Sequence, residues 1–319
     1  MRRWNRSRTS EVGSALLFLL PNVAGFAVFT LFPVVASLIL AFFHWSPLQG
    51  VTHFTDSAQF AGVSNFWRAV GFHRHVDASW HANDALFWQY LGNTVILMAG
   101  IPFAIIGSLF IANLLSRKMK GVPLFVTVFF LPSVTSGVAT YMIWQILLNP
   151  ESGLINATLA IFGIAGPQWL HSVAWAKPAL IIMGLWSSVG GYNLVLYLAA
   201  LQSIPRELYE AAEIDGASGF AKFVHITMPM VSPTTYFIFI MALIGGFQGG
   251  FAASYIMTNG GPAGTTTTIS YYIYNLAFSN SFEMGYASAI AWLLFLITLT
   301  VSFLGWNITG KRVHGETRV

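Results

Sequence analysis

The chain has 319 residues, of which 55% are apolar and only 8% charged, with a formal net charge of +4 and no cysteine. Soluble domains carry about 25% charged residues, so a water-soluble globule is excluded, as are a disulfide framework, thiolate chemistry and a cysteine-based zinc site. The positive balance points to no nucleic-acid partner, because the bases sit where membrane topology places them, and the composition is that of an all-α membrane protein in contact with a lipid bilayer.

The N-terminal MRRWNRSR has the basic start of a signal peptide. The apolar run behind it is about 30 residues long, against roughly 7–15 for a signal core, so a retained first span is expected. A bilayer core takes about 20 apolar helical residues, and one central charge costs roughly 2.5–3.5 kcal/mol. Windows free of Asp, Glu, Lys and Arg therefore predict six transmembrane helices, near Ser14–Phe43, Phe87–Leu115, Val122–Leu148, Ala179–Ala200, Val231–Met257 and Met284–Ile308. Between the first two lies the largest external loop, His44–Leu86, rich in His, Trp, Asn and Ser. The uncharged stretch from Phe223 to Phe282 leaves room for a seventh span, but its second half opens with the turn-rich TNGGPAGTTTT. The apolar ISYYIYNLAFS that follows, about 11 residues, is too short to cross and reads as an interfacial helix or lid on the outer face. No internal repeat or linker is visible, so residues 1–319 read as a single transmembrane domain.

Lys and Arg set the orientation. With the N-terminus inside, Arg2, Arg3, Arg6, Arg8, Arg117, Lys118, Lys120, Arg206, Lys222, Lys311, Arg312 and Arg318 are cytoplasmic, and only Arg68, Arg74 and Lys177 are external. That bias predicts both termini, and the loop 201–229, on the cytoplasmic side.

This loop, LQSIPRELYEAAEIDGASGFAKFVHITMP, carries Glu207, Glu210, Glu213, Asp215, Arg206 and Lys222 in a chain otherwise nearly free of charge. Pro205 suits a first helical position, and Glu207 then lies in the first turn, where the helix dipole favours an acid. Leu208, Ala211 and Ala212 share one face, small enough to let another surface approach. Gly216 is placed to end the helix in a left-handed conformation. A second short helix, Ser218–His225, is expected before Pro229 opens the next span. The result is a helix–turn–helix elbow along the membrane.

Glu210-Ala211-Ala212, three residues, Gly216, nine residues, Ile226, one residue, Met228 and Pro229 resemble the EAA signature of permease subunits of ATP-binding-cassette importers. Met228 stands where that family prefers Leu, an apolar exchange of similar size. The opening LLFLLPNVAGFAVFTLFPVVASLILAFFHW, with FAGVSNF (60–66), FFLPSV (129–134), NPESGLIN (149–156), TNGGP (258–262) and GYASAIAW (285–292), is similar to the carbohydrate branch, and in particular to the first permease of maltose and glycerol-3-phosphate type systems. The resemblance implies a type I importer permease fold in a bacterial or archaeal plasma membrane. It implies as partners a second permease, two ATPase subunits that hold ATP and Mg, and an extracytoplasmic sugar-binding protein. It assigns ATPase coupling to Glu210, Ala211, Ala212, Asp215, Gly216, Ile226 and Pro229. In such importers the elbow sits in a groove of the ATPase, whose closure rocks the spans from inward-open to outward-open.

Intramembrane polar groups near the elbow's spans are Tyr192, Asn193 and Gln248, and the resemblance puts Tyr192 and the region of Phe247 where relatives bind sugar. Aromatic faces and fixed hydrogen-bonding groups suit a sugar. Asn and Gln also bond across membrane helices, so helix glue is an equal reading. Gly245, Gly246, Gly249 and Gly250 around Gln248 mark either close packing or a broken helix.

Other signals are weaker. Gly305–Lys311 nearly matches a phosphate-binding loop, but Arg312 stands where Ser or Thr holds magnesium, so no cofactor is expected on this chain. His73, His75, Asp77, His81 and Asp84 have metal-ligand types but read as a solvated loop, with no metal. His225 reads as packing or capping the second short helix. No nucleophile elbow is present, so no catalytic residue is expected. Trp80, Trp88, Trp169, Trp175 and Trp306 read as interface belts. The competing readings are an importer permease for another solute, such as glycerol phosphate, and a stand-alone secondary transporter. The latter would keep intramembrane charges for ion coupling, and these spans have none.

Overall fold

The computed structural model describes residues 14–15, 17–49, 57–74, 79–116, 120–279 and 281–314, with 306–314 as backbone alone. Most of the orientation signal (Arg2 to Arg8, Arg117, Lys118, Arg318) and His75 and Asp77 lie outside the described residues. The chain divides into two units, Met1–Asn83 with Ile273–Leu293, and Asp84–Tyr272 with Leu294–Val319.

In the first unit, α1 (Leu17–Leu40) is long and apolar enough to cross a membrane, and none of it is buried by the chain itself. Pro33 lacks the N–H that would continue the ladder, and the preceding turn, Ala27–Leu31, relaxes to π geometry around it. The loop after α1 is more ordered than its composition suggested. It forms two small antiparallel hairpins, β1 (Phe43–His44) with β2 (Gln59–Phe60) and β3 (Phe72–Arg74) with β4 (Trp80–Ala82), on either side of α2 (Ser64–Val70). The expectation of a purely α chain is corrected to that extent. Buried Asn65 organises this part, its amide donating to the carbonyls of Ala41 and Phe43, both at 3.0 Å. Arg68 pairs with Glu283 and lies 4.0 Å over the ring of Tyr286.

The second unit begins with α3 (Ala85–Leu115), capped by Asp84, whose carboxylate accepts from Leu86 and Phe87 N–H at 2.9 and 3.1 Å. The expected third span is not one helix. It breaks into α4 (Val122–Val134) and α5 (Gly137–Leu147), bent by 98°. Pro132 removes a donor near the break, and the hydroxyls of Ser133 and Thr135 bond back to the carbonyls of Phe130 and Leu131. After α6 (Leu154–Ile161), the expected fourth span is likewise two pieces, α7 (Ala176–Ser188) and α8 (Gly191–Gln202), bent by 42°. A Cβ on Gly190, at that bend, would lie 2.1 Å from the Phe129 carbonyl, so only glycine lets the two backbones meet. The carbonyls of Ser188 and Val189 lose their helical donors there. The buried Ser108 hydroxyl, from α3, faces both at 3.2 and 2.7 Å.

Next come the elbow helix α9 (Arg206–Ile214) and α10 (Gly219–Gln248). The second short helix and the fifth span are therefore one continuous helix, and Pro229 does not open it. Phe223–Thr227 is a π turn that ends two residues before Pro229, and it loosens the ladder where the prolyl ring would press on the carbonyl four residues back. The fifth span also ends earlier than Met257. Gly249 and Gly250 break it, and a separate short helix, α11 (residues 251–258), follows.

The segment after α11, expected as a polar turn, is a buried knot. Ser254, Thr266, Thr267 and Thr268 are all buried. Ser254 Oγ donates to the Thr266 carbonyl at 2.7 Å, Thr258 and Thr266 share a hydroxyl bond at 2.6 Å, and the Asn93 amide donates to Gly264 and Thr267 carbonyls at 2.9 and 3.0 Å. From α5, Gln145 donates to the Ile256 carbonyl at 2.6 Å. Irregular backbone shut away from water is tolerated only when its polar groups are bonded in this way. The eleven-residue segment behind it is helical, as α12 (Ile269–Tyr274) continued by a π turn through Ser279. Its first part is no surface lid: Ile269 and Tyr271 are buried, and Tyr272 donates to Asp84 at 2.7 Å. The last helix, α13, runs Met284–His314. Among the described residues, four helices are thus long and apolar enough to cross, or up to six if each bent pair is one span.

Packing in the second unit centres on Leu109, Ala112, Leu194, Tyr197, Val231 and Ile238, drawn from α3, α8 and α10. Between membrane helices apolar burial yields close packing more than a hydrophobic gain. The Tyr197 hydroxyl adds a bond to Thr235 at 3.0 Å. Trp169 is also a core residue, not a belt residue, bonded through Nε1 to Asn156 at 2.7 Å.

Candidate functional site

The elbow is built by local chemistry. Pro205 occupies the cap position with extended ψ, one residue before the position expected, and Glu207 lies in the first turn. Gly216 adopts φ +75°. Its N–H bonds the Glu213 carbonyl at 3.1 Å and the Ala217 N–H bonds that of Ala212 at 2.8 Å. This pair of bonds is the Schellman motif, which closes the C-terminal carbonyls of α9. No atom lies within 4 Å of a Cβ built at Gly216, so glycine is required by the backbone angle alone.

Ser218 then caps α10, its hydroxyl accepting from Ala221 N–H at 3.2 Å. Two contacts brace the two helices of the elbow: Lys222 pairs with Glu213 at 2.8 Å, and the Tyr209 hydroxyl bonds that of buried Thr227 at 2.9 Å. Ile226 packs on the core cluster behind them. His225 bonds the Ala221 carbonyl at 3.0 Å, in keeping with a packing role.

The outer face is open. Glu210, Ala211, Asp215, Gly216 and Pro229 are exposed, Leu208 is largely so, and Ala212 is half-buried. Glu207, Glu210 and Asp215 carry no ion pair among the described residues. Two residues that the sequence reading passed over are also exposed on the elbow, Ile214 at 87% and Phe220 at 78%. They are large apolar side chains among charged ones, available to a contact surface. Their signal in the sequence was their position, one on each side of the turn around Gly216.

The residues expected to meet a substrate are less concentrated. Tyr192 is 65% exposed, with its ring 5.4 Å from that of Phe130. Asn193 lines a cavity of about 150 Å³ between α3, α7, α8 and α10, and donates to the freed Ser188 carbonyl at 3.3 Å. Part of its role is therefore to repair the bend. Phe247 is buried, and Gln248 is exposed at the end of α10. The cavity lined by Asn193 includes none of the other three. Beyond the Gly249–Gly250 break, Phe251 and Tyr255 stack at 5.6 Å and 8°, and Tyr255 is half exposed. The expected fifth span ran through both residues to Met257, so this aromatic pair went unremarked as part of an ordinary apolar window.

In the loop after α1, His73 and His81 face each other across the β3–β4 hairpin, with rings 6.2 Å apart. Each is bonded elsewhere, His73 to Asn83 and His81 to Ser79, both at 2.8 Å. Asp84 caps α3. Among the described residues no three metal-ligating side chains gather.

The family model described as "Binding-protein-dependent transport system inner membrane component" matches residues 89–309. The lactose transport system permease protein LacF of Rhizobium radiobacter is 36% identical over 302 residues, covering 93% of this chain and 94% of that one. The sn-glycerol-3-phosphate transport system permease protein UgpA of Yersinia enterocolitica is 32% identical over 291 residues, covering 89% and 90%. Among solved structures, a bacterial ABC transporter that imports the acidic polysaccharide alginate aligns with a TM-score of 0.77 at 22% identity, over 98% of this chain and 99% of that one. At that identity the likeness speaks for the fold.

Proposed function

The chain belongs to the family of binding-protein-dependent transport system inner membrane components, and from that membership we propose that it is the permease subunit of an ATP-driven sugar importer. The reading counts six spans, two of them bent, with both termini and the elbow in the cytoplasm of a bacterial or archaeal cell, as the Lys and Arg distribution favours. Its partners are a second permease, two ATPase subunits and an external sugar-binding protein. ATP and Mg²⁺ belong to the ATPases, and this chain contributes no catalytic residue.

The observation that carries the proposal is the internally braced elbow with its exposed face. Glu210, Ala211, Ala212, Asp215 and Gly216 form its contact surface, with Ile214 and Phe220 as apolar anchors, while Ile226 and Pro229 fix it to the span behind. Because α10 is one helix of 30 residues, about 45 Å long at 1.5 Å per residue, a displacement of the elbow travels along a single lever. The lever ends at Phe247 and Gln248, beside the Gly249–Gly250 break. Gln248, Tyr192 and the Phe251–Tyr255 platform are the candidate sugar contacts, and Asn193 holds the bend between α7 and α8.

This chain has no native cysteine, so an introduced one is the only thiol on the permease itself. A single Ala211→Cys in the assembled importer should react with an impermeant maleimide only in inverted vesicles, and should cross-link to the ATPase subunit. Glu210→Lys and Gly216→Val should each abolish coupled uptake. Labelling from the outside, or wild-type uptake in both variants, would refute the assignment. The similarity to UgpA favours a second reading, import of a glycerol phosphate; the ligand retained by the cognate binding protein decides between the two.

A further inference from the structure

The elbow sorts its charges between two faces. Arg206 and Lys222 both line a cavity of about 450 Å³, whereas Glu207, Glu210, Glu213 and Asp215 are absent from its walls. Helical spacing explains part of this. Arg206 and Tyr209 stand three residues apart on the cavity side of α9, and Glu207 and Glu210 stand three apart on another. Lys222 enters from the first turn of α10, and Asn113 and Ser116 come from the end of α3, with Gln202 from the end of α8.

The cations remain available. Arg206 has no ion pair among the described residues. Lys222 gives Glu213 one bond, but an ammonium has three donors. Its side chain is 20% exposed against 64% for Glu213, so the pair's carboxylate lies in solvent while the amine stem is enclosed. Arg206, and Lys222 with Glu213 on its solvent side, stand in a concave site whose other walls include the amides of Asn113 and Gln202, the hydroxyls of Ser116, Tyr209 and Thr227, and apolar Leu201, Ile204 and Phe223, with no carboxylate lining it. The net potential inside is positive. Such a site disfavours a metal cation and leaves a neutral sugar facing unmatched charge. An oxyanion satisfies the guanidinium and ammonium together.

We infer that this cavity binds a phosphate-bearing anion, the chemistry shared by an acidic lipid headgroup and a soluble phosphate ester. Basic pockets between helix ends at a membrane surface hold acidic headgroups in this manner. The bound anion joins α3, α9 and α10, so its occupancy would stiffen the elbow from behind while the outer face stays free. The inference does not depend on which solute is carried.

The test uses the assembled importer, reconstituted in phosphatidylcholine vesicles with or without phosphatidylglycerol, and separately titrated with inorganic phosphate. Retained lipid is read by native mass spectrometry, and phosphate binding by the shift in thermal unfolding. Phosphatidylglycerol retention identifies a headgroup as the source, and a phosphate-dependent shift identifies a soluble ester; either supports the site. Arg206→Gln should weaken the binding observed about fivefold, and Arg206→Gln with Lys222→Gln about 25-fold, from roughly 1 kcal/mol per charge. Glu213→Gln breaks the same ion pair as Lys222→Gln but keeps both cations, so it should bind as wild type or more tightly. Equal binding in wild type and the double variant, or no binding of either probe to wild type, would overturn the inference.

Discussion

Two of the polar stretches that interrupt this oily chain, the elbow at 201–229 and the threonine–glycine knot at 254–268, solve opposite problems. The elbow holds charges in water and needs only local rules: a proline entry, an acid in the first turn, a left-handed glycine and a serine cap. The knot has no charge. It buries its hydroxyls and irregular backbone, and depends on donors reaching in from Asn93 and Gln145. Polarity in a membrane protein therefore marks either an exit to water or an internally satisfied break in a helix. Charge tells them apart, since a buried charge costs more than a buried hydroxyl.

The comparison is broken most directly at the knot. Asn93→Leu removes two buried bonds at once, and leaving such groups unpaired costs about 1–3 kcal/mol. A marked fall in the unfolding temperature of the purified complex is expected, measured against Asn93→Gln as control. No change would mean that the knot is held by its own backbone and is not distinct from a surface turn.

Gly216 gives the next effect in size. Left-handed backbone costs an ordinary L-residue about 1–2 kcal/mol, and the space around Gly216 is open, so the loss should follow backbone preference and not side-chain volume. The expected order of elbow stability is Gly, then Asn, then Ala, then Val, read by hydrogen exchange at 206–217. A ranking by volume would show that a contact, not the angle, selects glycine.

Legibility followed the same division. The elbow's turn, cap and exposed acids, and the positions of the apolar stretches, were readable because each rests on residues adjacent in sequence. The bends at Thr135–Ser136 and Val189–Gly190 were not, because a charge count sees only that no charge interrupts the window. Pro132 and Gly190 were visible as residues, but the partners that make a break tolerable, Ser108 above all, come from elsewhere in the chain. The fifth span was overextended past Gln248 for the same reason, although the glycines had been noted as a candidate break. Pro229 misled in the other direction: a proline that ordinarily starts a helix sits inside one, made room for by a π turn.

A smaller effect separates bracing from docking. The Glu213–Lys222 pair is largely open to solvent on the acid side, and exposed pairs contribute about 0.2–1 kcal/mol. Glu213→Gln should lower the unfolding temperature only slightly, less at high salt, and should leave the hydroxyl bond between Tyr209 and Thr227 to hold the elbow closed. A loss as large as that of Asn93→Leu would make the ion pair the main brace and place the elbow with the knot.

The smallest change in stability is expected where the change in function is large. Ile214 and Phe220 touch little of their own chain, so Ile214→Ser and Phe220→Ser should stay within about 0.5 kcal/mol of wild type, as exposed substitutions do. If they anchor a partner, desolvated apolar groups at the centre of the contact carry much of its binding energy, and each serine should weaken recovery of the ATPase subunit with the permease. The two readouts must therefore diverge: unfolding temperature held, co-purification and coupled uptake reduced. A parallel fall in both would show that these side chains are buried against another part of the permease assembly. Their exposure would then belong to the isolated chain, and the outer face of the elbow would owe its specificity to Glu210 and the alanines alone.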